Sequence, residues 1–573
     1  MRIRILLFLI TLCSLIISCG GNNSETSNLK ALGGKIYGGK FSFMSGEKIE
    51  SLFPLAVSDV FSNRIISQIF EPLLKIDIAT MKVVPALAES FKVSEDARVF
   101  TFKIRKNVYF QDNECFDGGK GRLLNAQDVK FSLDMACSGI KENGISYLLV
   151  DKIKGAKEFN KIATNYNIPK EGVSGIKVLD PLTVEIRLKE PFVGFDKVLS
   201  HNSLGIFPKE ALDKYKEDIK NHPVGTGAFI LESFNEKGIV LKRNSNYWAK
   251  DDFENQLPFL DKVVMTYTKH KKTELLAFRK KEIDVVLEIP VEDIQDVFGS
   301  LADAQSGKNV KHKVETETSL KMAYIAFACE SDEFKDERVR KAFNLAIDRQ
   351  GIIDNLLEGE GYPALNGFVP PIGNYPNYRV KGYAFDPAQA KSLLAQAGYK
   401  NGASFPQLSI YVNAKEGSSV HKMIKGAVAD LKTNLNVTLK IKLCTMKERN
   451  IAINDGKAKM WRAGWIADYP DPENFLCLFY GGNISDNTGS VVNDFKFRNK
   501  EFDELFVKAM RELNNDKRND LMVKCDQLVI DHAATIPILT EDFIMMVNVR
   551  VRDFKTNRLQ ALDFSKIYIK DQR

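Results

Sequence analysis

The sequence predicts a mixed α/β protein of more than one domain, and three observations carry that reading. Helix-patterned segments alternate with strand-patterned ones along most of the chain, as they do where helices pack against a sheet. No repeat of fixed period accompanies the alternation, which argues against a solenoid or propeller. The 573 residues, less the first 18, leave 555, more than one hydrophobic core usually organises.

The first informative stretch runs from Glu71 to Ser200. Val99 to Ile104 alternates apolar and polar side chains, the pattern of a half-buried strand. Asn125-Ala126-Gln127-Asp128 has the form of a capping box, with Val129, Leu133 and Ala136 following on one helical face. Ile176 to Val178 and Val184 to Leu188 flank Asp180-Pro181 and predict a hairpin.

A second stretch, His222 to Val286, opens with Pro223-Val224-Gly225-Thr226-Gly227. A phosphate loop would need a Lys-Ser/Thr pair and a strand-to-helix context. Neither follows, so the glycines predict a tight turn. Ile230 to Phe234 and Ile239 to Lys242 form a second predicted hairpin.

The third stretch, Thr316 to Asp542, holds the clearest helix: Val339, Ala342, Phe343, Ala346 and Ile347 share one face. Pro387, Leu393, Leu394 and Ala397 predict a helix closed by Gly398, with a strand from Leu408 to Val412. Val420, Ile424, Ala427, Val428 and Leu431 predict another, followed by a strand from Val437 to Leu443.

At the amino terminus, Arg2 and Arg4 precede an apolar run from Ile5 to Ile17, the layout of a secretory signal. The run is too short to span a bilayer. It ends in Ile16-Ile17-Ser18-Cys19-Gly20, which is similar to a bacterial lipobox. Cys19 is then the lipidated first residue of the mature chain; the alternative is an ordinary signal that leaves a free thiol. Several acyl chains on one cysteine would hold the protein at a membrane, since a single chain binds only marginally. Asn22 to Gly34 is polar and small, a flexible tether.

Removing Arg2 and Arg4 from 81 basic residues leaves 79 against 74 acidic ones, a balance of +5 spread along the chain. That is no nucleic-acid footprint. Six cysteines follow Cys19 without a Cys-x-x-Cys pair, and the six histidines are far apart, so no metal site is expected. Cys115 and Cys137 bracket one loop and helix and are the candidate disulfide, against two buried thiols. No Gly-x-Ser-x-Gly elbow, His-Glu-x-x-His helix or Walker motif occurs, so neither a catalytic role nor a cofactor is expected.

Five segments together resemble the family 5 extracellular solute-binding proteins, the dipeptide- and oligopeptide-binding components of bacterial ABC transporters. They are Ile69 to Leu74 with Val84 to Ser90; Asn125 to Val129; Pro223 to Gly227 with Asn246-Tyr247-Trp248; Val339 to Phe343 with Ala346 to Arg349; and Arg462-Ala463-Gly464-Trp465-Ile466-Ala467-Asp468-Tyr469 followed by Pro470-Asp471-Pro472. The resemblance implies a two-lobed periplasmic-binding-protein fold with a hinge and an extra domain inserted in the N-terminal lobe. Such lobes close on ligand.

The boundaries that fit are a signal over 1–18, a lipidated N-terminus and tether over 19–34, and lobe I from 35–70, 222–310 and 546–573. The inserted domain is 71–221 and lobe II 311–545. A monomeric carrier would pass its peptide to permease subunits powered by a separate ATPase. In the family motif Asp468 matches the aspartate that receives a peptide ammonium, and Arg462 an arginine that meets a ligand carboxylate or else makes a structural salt bridge. Trp465 either packs on the peptide or fills the lobe core; Tyr469 and Trp461 are weaker ligand candidates. Further contacts are expected near Ser58 to Ser62. A same-fold carrier of nickel chelate, haem or oligosaccharide is the nearest alternative, and an exported hydrolase the alternative of another class.

Overall fold

The computed structural model describes residues 30–57, 59–289, 312–357, 359–484 and 492–570. The signal segment, Cys19 and Ser58 lie outside them. Two sheets carry the architecture. The larger has eleven strands and runs through both lobes. Its lobe II end is built in the order Leu439–Leu443, Leu408–Val412, Met460–Ile466. Its lobe I end follows the order Val285–Val286, Lys40–Ser45, Lys262–Tyr267, Gly238–Arg243, Phe229–Asn235.

Between the two ends lie the long antiparallel strands His312–Phe327 and Thr535–Asn548. Their pairing shifts register between Thr318 and Met322, opposite Asp542 and Thr540. On one side of that bulge Thr535–Asn548 also pairs with Val285–Val286 of lobe I; on the other, His312–Phe327 pairs with Met460–Ile466 of lobe II. The crossover between lobes therefore falls inside these strands, where a bulge bends the ladder. Of the expected lobe joints, 310/311 lies outside the described residues and 545/546 falls within the second long strand. The polar run Glu315 to Ser319 hides the first strand from a periodicity reading.

The smaller sheet is antiparallel, in the order Ala88–Val93, Val99–Ile104, Thr183–Arg187, Ile176–Asp180. Phe100, Phe102 and Ile104 are fully buried on one face, as the alternation predicts. The capping box forms: Asn125 Oδ1 accepts from the Gln127 amide and the Asp128 carboxylate from the Asn125 amide. Arg122 then braces Asp128 against Glu210. Gly225 and Gly227 allow a close approach. A Cβ on Gly225 would stand 2.1 Å from the Ile69 carbonyl oxygen, and one on Gly227 2.5 Å from that of Gln68.

In lobe II the predicted helices appear as Glu337–Leu345, Pro387–Gln396 and Ser419–Leu435. Val339, Ala342 and Phe343 are buried, and Gly398 adopts φ +96° just past the second helix, where a glycine avoids the Cβ penalty.

The expected disulfide is corrected by the structure, because Cys115 and Cys137 are both free thiols. Cys137 follows the last turn of the helix Ala126–Ala136. Cys115 lies near Arg122 and Glu210, the residues that brace the first turn of that helix. An eleven-residue helix is about 16 Å long, whereas a disulfide needs Cα atoms within about 7 Å.

Candidate functional site

The site grows from the strand Met460–Ile466. Alternate residues of a strand face opposite ways. Trp461 and Ala463 are buried in one apolar cluster of lobe II, and Trp465 packs against it. Arg462 and Gly464 occupy the other face, and Arg462 lies flat along the strand: a Cβ on Gly464 would meet its Nη2 at 3.4 Å.

The chain leaves the sheet at Ala467, whose amide donates to the Leu320 carbonyl, and turns at Pro470 and Pro472. One buried side chain organises the turn. Asn474 Oδ1 accepts from the Asp468 amide at 2.9 Å and from Trp465 Nε1 at 3.0 Å, while its Nδ2 donates to Asp468 Oδ2 at 3.2 Å. Asn474 therefore fixes both the backbone and the carboxylate of Asp468.

Two residues of the stretch expected to form the inserted domain supply the rest of the Asp468 shell. Tyr147 donates its hydroxyl to Asp468 Oδ2 at 3.2 Å, and His201 Nε2 stands 3.4 Å from Oδ1. The Ser203 amide donates to His201 Nδ1, so the imidazole proton is on Nε2 and faces the carboxylate. Burial pushes the Asp468 carboxyl up, but His201, Asn474 and Tyr147 outweigh it and hold the group below its ordinary range. The side chain keeps 24 % of its surface open. It is an ionised carboxylate aimed between Asn474 of its own turn and the distant Tyr147 and His201.

Arg462 has the opposite character. Among the described residues it makes no salt bridge, and its buried Nε has no acceptor. Burial pushes its guanidinium down, and Glu541, its nearest acidic influence, only partly offsets this. Glu541 is itself paired with Lys321, and Glu288 with Arg64 at 2.7 Å. Around Arg462 the neighbouring carboxylate Glu541 is thus already committed to Lys321, while the second guanidinium nearby, Arg449, pushes Arg462 further down.

The other expected ligand contacts divide. Trp465 is half-buried and tied to Asn474, beside Asp468. Trp461 is 2 % exposed, a core side chain. Tyr469 is 1 % exposed and gives its hydroxyl to Glu473. Ser62 sits in the first turn of the helix Val60–Ile69, its amide capped by Asp59. Tyr147 and His201 were absent from the sequence reading. Tyr147 is 321 residues from Asp468, and neither stands in a motif that signals a binding role.

Comparison with known proteins agrees with this architecture. The chain is 26 % identical over 506 residues to the glutathione-binding protein GsiB of Salmonella paratyphi A, an alignment covering 87 % of this chain and 88 % of that one. The periplasmic binding protein DppA of Helicobacter pylori, solved with the peptide STSA, shares 25 % identity and superposes with a TM-score of 0.75, covering 93 % and 99 % of the two chains. The Escherichia coli murein tripeptide binding protein MppA, at 22 % identity and covering 92 % of this chain and 98 % of its own, gives 0.76; its unliganded open form, covering 92 % and 97 %, gives 0.66. Residues 82–487 match the model of the bacterial extracellular solute-binding proteins, family 5 (middle region), and with most of the chain inside that match, the protein belongs to this family of solute-binding proteins.

Proposed function

We propose that the protein captures small peptides with a free amino terminus between its two lobes and delivers them to an ABC importer. The observation that carries this reading is the pairing of unlike, incompletely compensated charges on one segment. Asp468 is an ionised carboxylate held by the Tyr147 hydroxyl, the Asn474 amide and the His201 imidazole, and Arg462 is a guanidinium with an unpartnered Nε and no salt bridge among the described residues. A peptide supplies the ammonium and the carboxylate that complete both, and a buried charge without a partner is costly. Charge-assisted hydrogen bonds then fix the ends while the side chains vary.

Two of the relatives named above support the reading, since glutathione and STSA are both small peptides. A haem would bring no ammonium to Asp468. In this proposal Trp465 borders the ligand, whereas Tyr469 and Trp461 serve packing. The lobes follow the boundaries given above except that the crossovers lie at the bulge, between Thr318 and Met322 and between Thr540 and Asp542, with the inserted domain completing the amine site. Cys19 carries the lipid that anchors a monomer to a membrane of the cell envelope, on its periplasmic or extracytoplasmic face, and a separate ATPase powers transport. Among the described residues no helix is long and apolar enough to cross a membrane.

Native mass spectrometry of freshly purified protein, followed by calorimetry with a tripeptide, its N-acetyl form and its C-amide, tests the reading. Co-purified peptides are expected, with a loss of more than about a hundredfold in affinity on N-acetylation. Equal binding of the free and acetylated peptides, or a bound haem or sugar in place of peptide, overturns it.

A further inference from the structure

The segment that carries Asp468 is also the segment by which lobe II grips the inserted domain. Tyr469, although a lobe II residue, is buried in the apolar cluster of lobe I and the inserted domain. Two positions later Asp471, with no exposed surface, is held at 2.7 Å by Arg518 of its own lobe and at 2.7 Å by Lys197 of the inserted domain. Burial pushes its carboxyl up, but Arg518 and Lys197 drive it well below the carboxylate range. Glu473, 2 % exposed, accepts from Tyr469 and stands 3.8 Å from Lys152 of the inserted domain.

We propose that Lys197 and Lys152 are positioning residues that latch the closed cleft: they act through Asp471 and Glu473 on the placement of Asp468, without touching the ligand. The proposal deepens the peptide-capture reading and rests on it only for the affinity measurement. Opening separates Lys197 from Asp471 and Lys152 from Glu473, and the same motion withdraws Asp468 from Tyr147 and His201. Ligand capture and closure are therefore coupled through one short turn, and cations in the inserted domain set part of the ligand affinity.

Lys197→Met leaves Asp471 paired with Arg518; Lys152→Met leaves Glu473 with the Tyr469 hydroxyl but without its cation, so a thermal melt of each single variant checks that the fold is kept. The pair Arg511–Glu190 crosses the same junction at 3.4 Å but is 47 % and 42 % exposed, where ion pairs contribute little; Arg511→Met is the control.

The test is small-angle scattering of the full-length protein at low and high salt, with calorimetry on the tripeptide that the wild type binds. In the Lys197→Met/Lys152→Met double variant the ligand-free scattering profile is expected to shift to a more open form. Tripeptide affinity should fall between about fivefold and about a hundredfold, whereas Lys197→Arg retains both properties and Arg511→Met changes neither. A double variant with unchanged scattering and unchanged affinity overturns the latch. If the wild type binds no peptide, the capture reading falls while the scattering comparison still decides the latch.

Discussion

Asp468 and Arg462 stand on one segment and are provisioned in opposite ways. Asp468 is surrounded by donors from two domains: the Asn474 amide, the Tyr147 hydroxyl and the His201 imidazole. Arg462 has a buried, unpartnered Nε and no carboxylate of its own among the described residues. The difference separates two design problems. A carboxylate that must stay ionised out of bulk water needs standing donors, because its proton is the competitor. A guanidinium keeps its charge unaided and can wait for an anion, at a cost in stability that the ligand removes.

The largest effect that would break this comparison is at the amine end. Asp468→Asn keeps the shape and removes the charge, and should lower affinity for a free-amine peptide by about 2–5 kcal/mol, the range for one partner of a desolvated ion pair. Calorimetry against the N-acetylated peptide checks it, since that ligand should lose far less. A uniform loss for both ligands would mean that Asp468 shapes the turn and does not meet the amine.

The carboxylate end should respond in two directions. Arg462→Met removes an orphaned buried N–H, whose burial costs on the order of 1–3 kcal/mol, so the melting temperature of the ligand-free protein should rise. The same change should weaken peptides with a free carboxylate about tenfold or more and leave C-amides untouched. A fall in melting temperature would show that Arg462 pays its way structurally, through its influence on Glu541.

How these residues divide between legible and hidden follows from the range of the forces involved. The strand Val99–Ile104, the Asn125 capping box and the helix Glu337–Leu345 are set by neighbours within a few positions, and their periodicity or end chemistry is written locally. Asp468 and Arg462 became visible only as members of a family motif. Tyr147 and His201 were hidden because their meaning comes from tertiary placement across hundreds of residues. The crossover strands were hidden for a related reason: the ladder between His312–Phe327 and Thr535–Asn548 shifts register at its bulge, and only beyond it does the first strand gain Met460–Ile466 as a second partner, so no single alternation runs through it. The disulfide expectation failed on geometry, since proximity in sequence across a helix places its two ends apart.

The smallest effect is the most diagnostic of the shell around Asp468. Burial raises this carboxyl, and His201, Asn474 and Tyr147 together bring it below the ordinary value of 3.8. With the folded value depressed, the charge and its contribution are complete above the unfolded value and are lost only as pH falls through the lower folded one. Peptide affinity should therefore be flat from neutral pH down to about 5, apart from titration of the ligand itself. His201→Asn keeps an acceptor for the Ser203 amide but withdraws the Nε2–H donor from Asp468. The carboxyl should then titrate higher, moving the acid limb of the affinity profile upward by less than about one pH unit, with less than about a tenfold loss at neutral pH. Calorimetry across that range decides the matter, because a role confined to packing would lower affinity equally at every pH and leave the acid limb where it was.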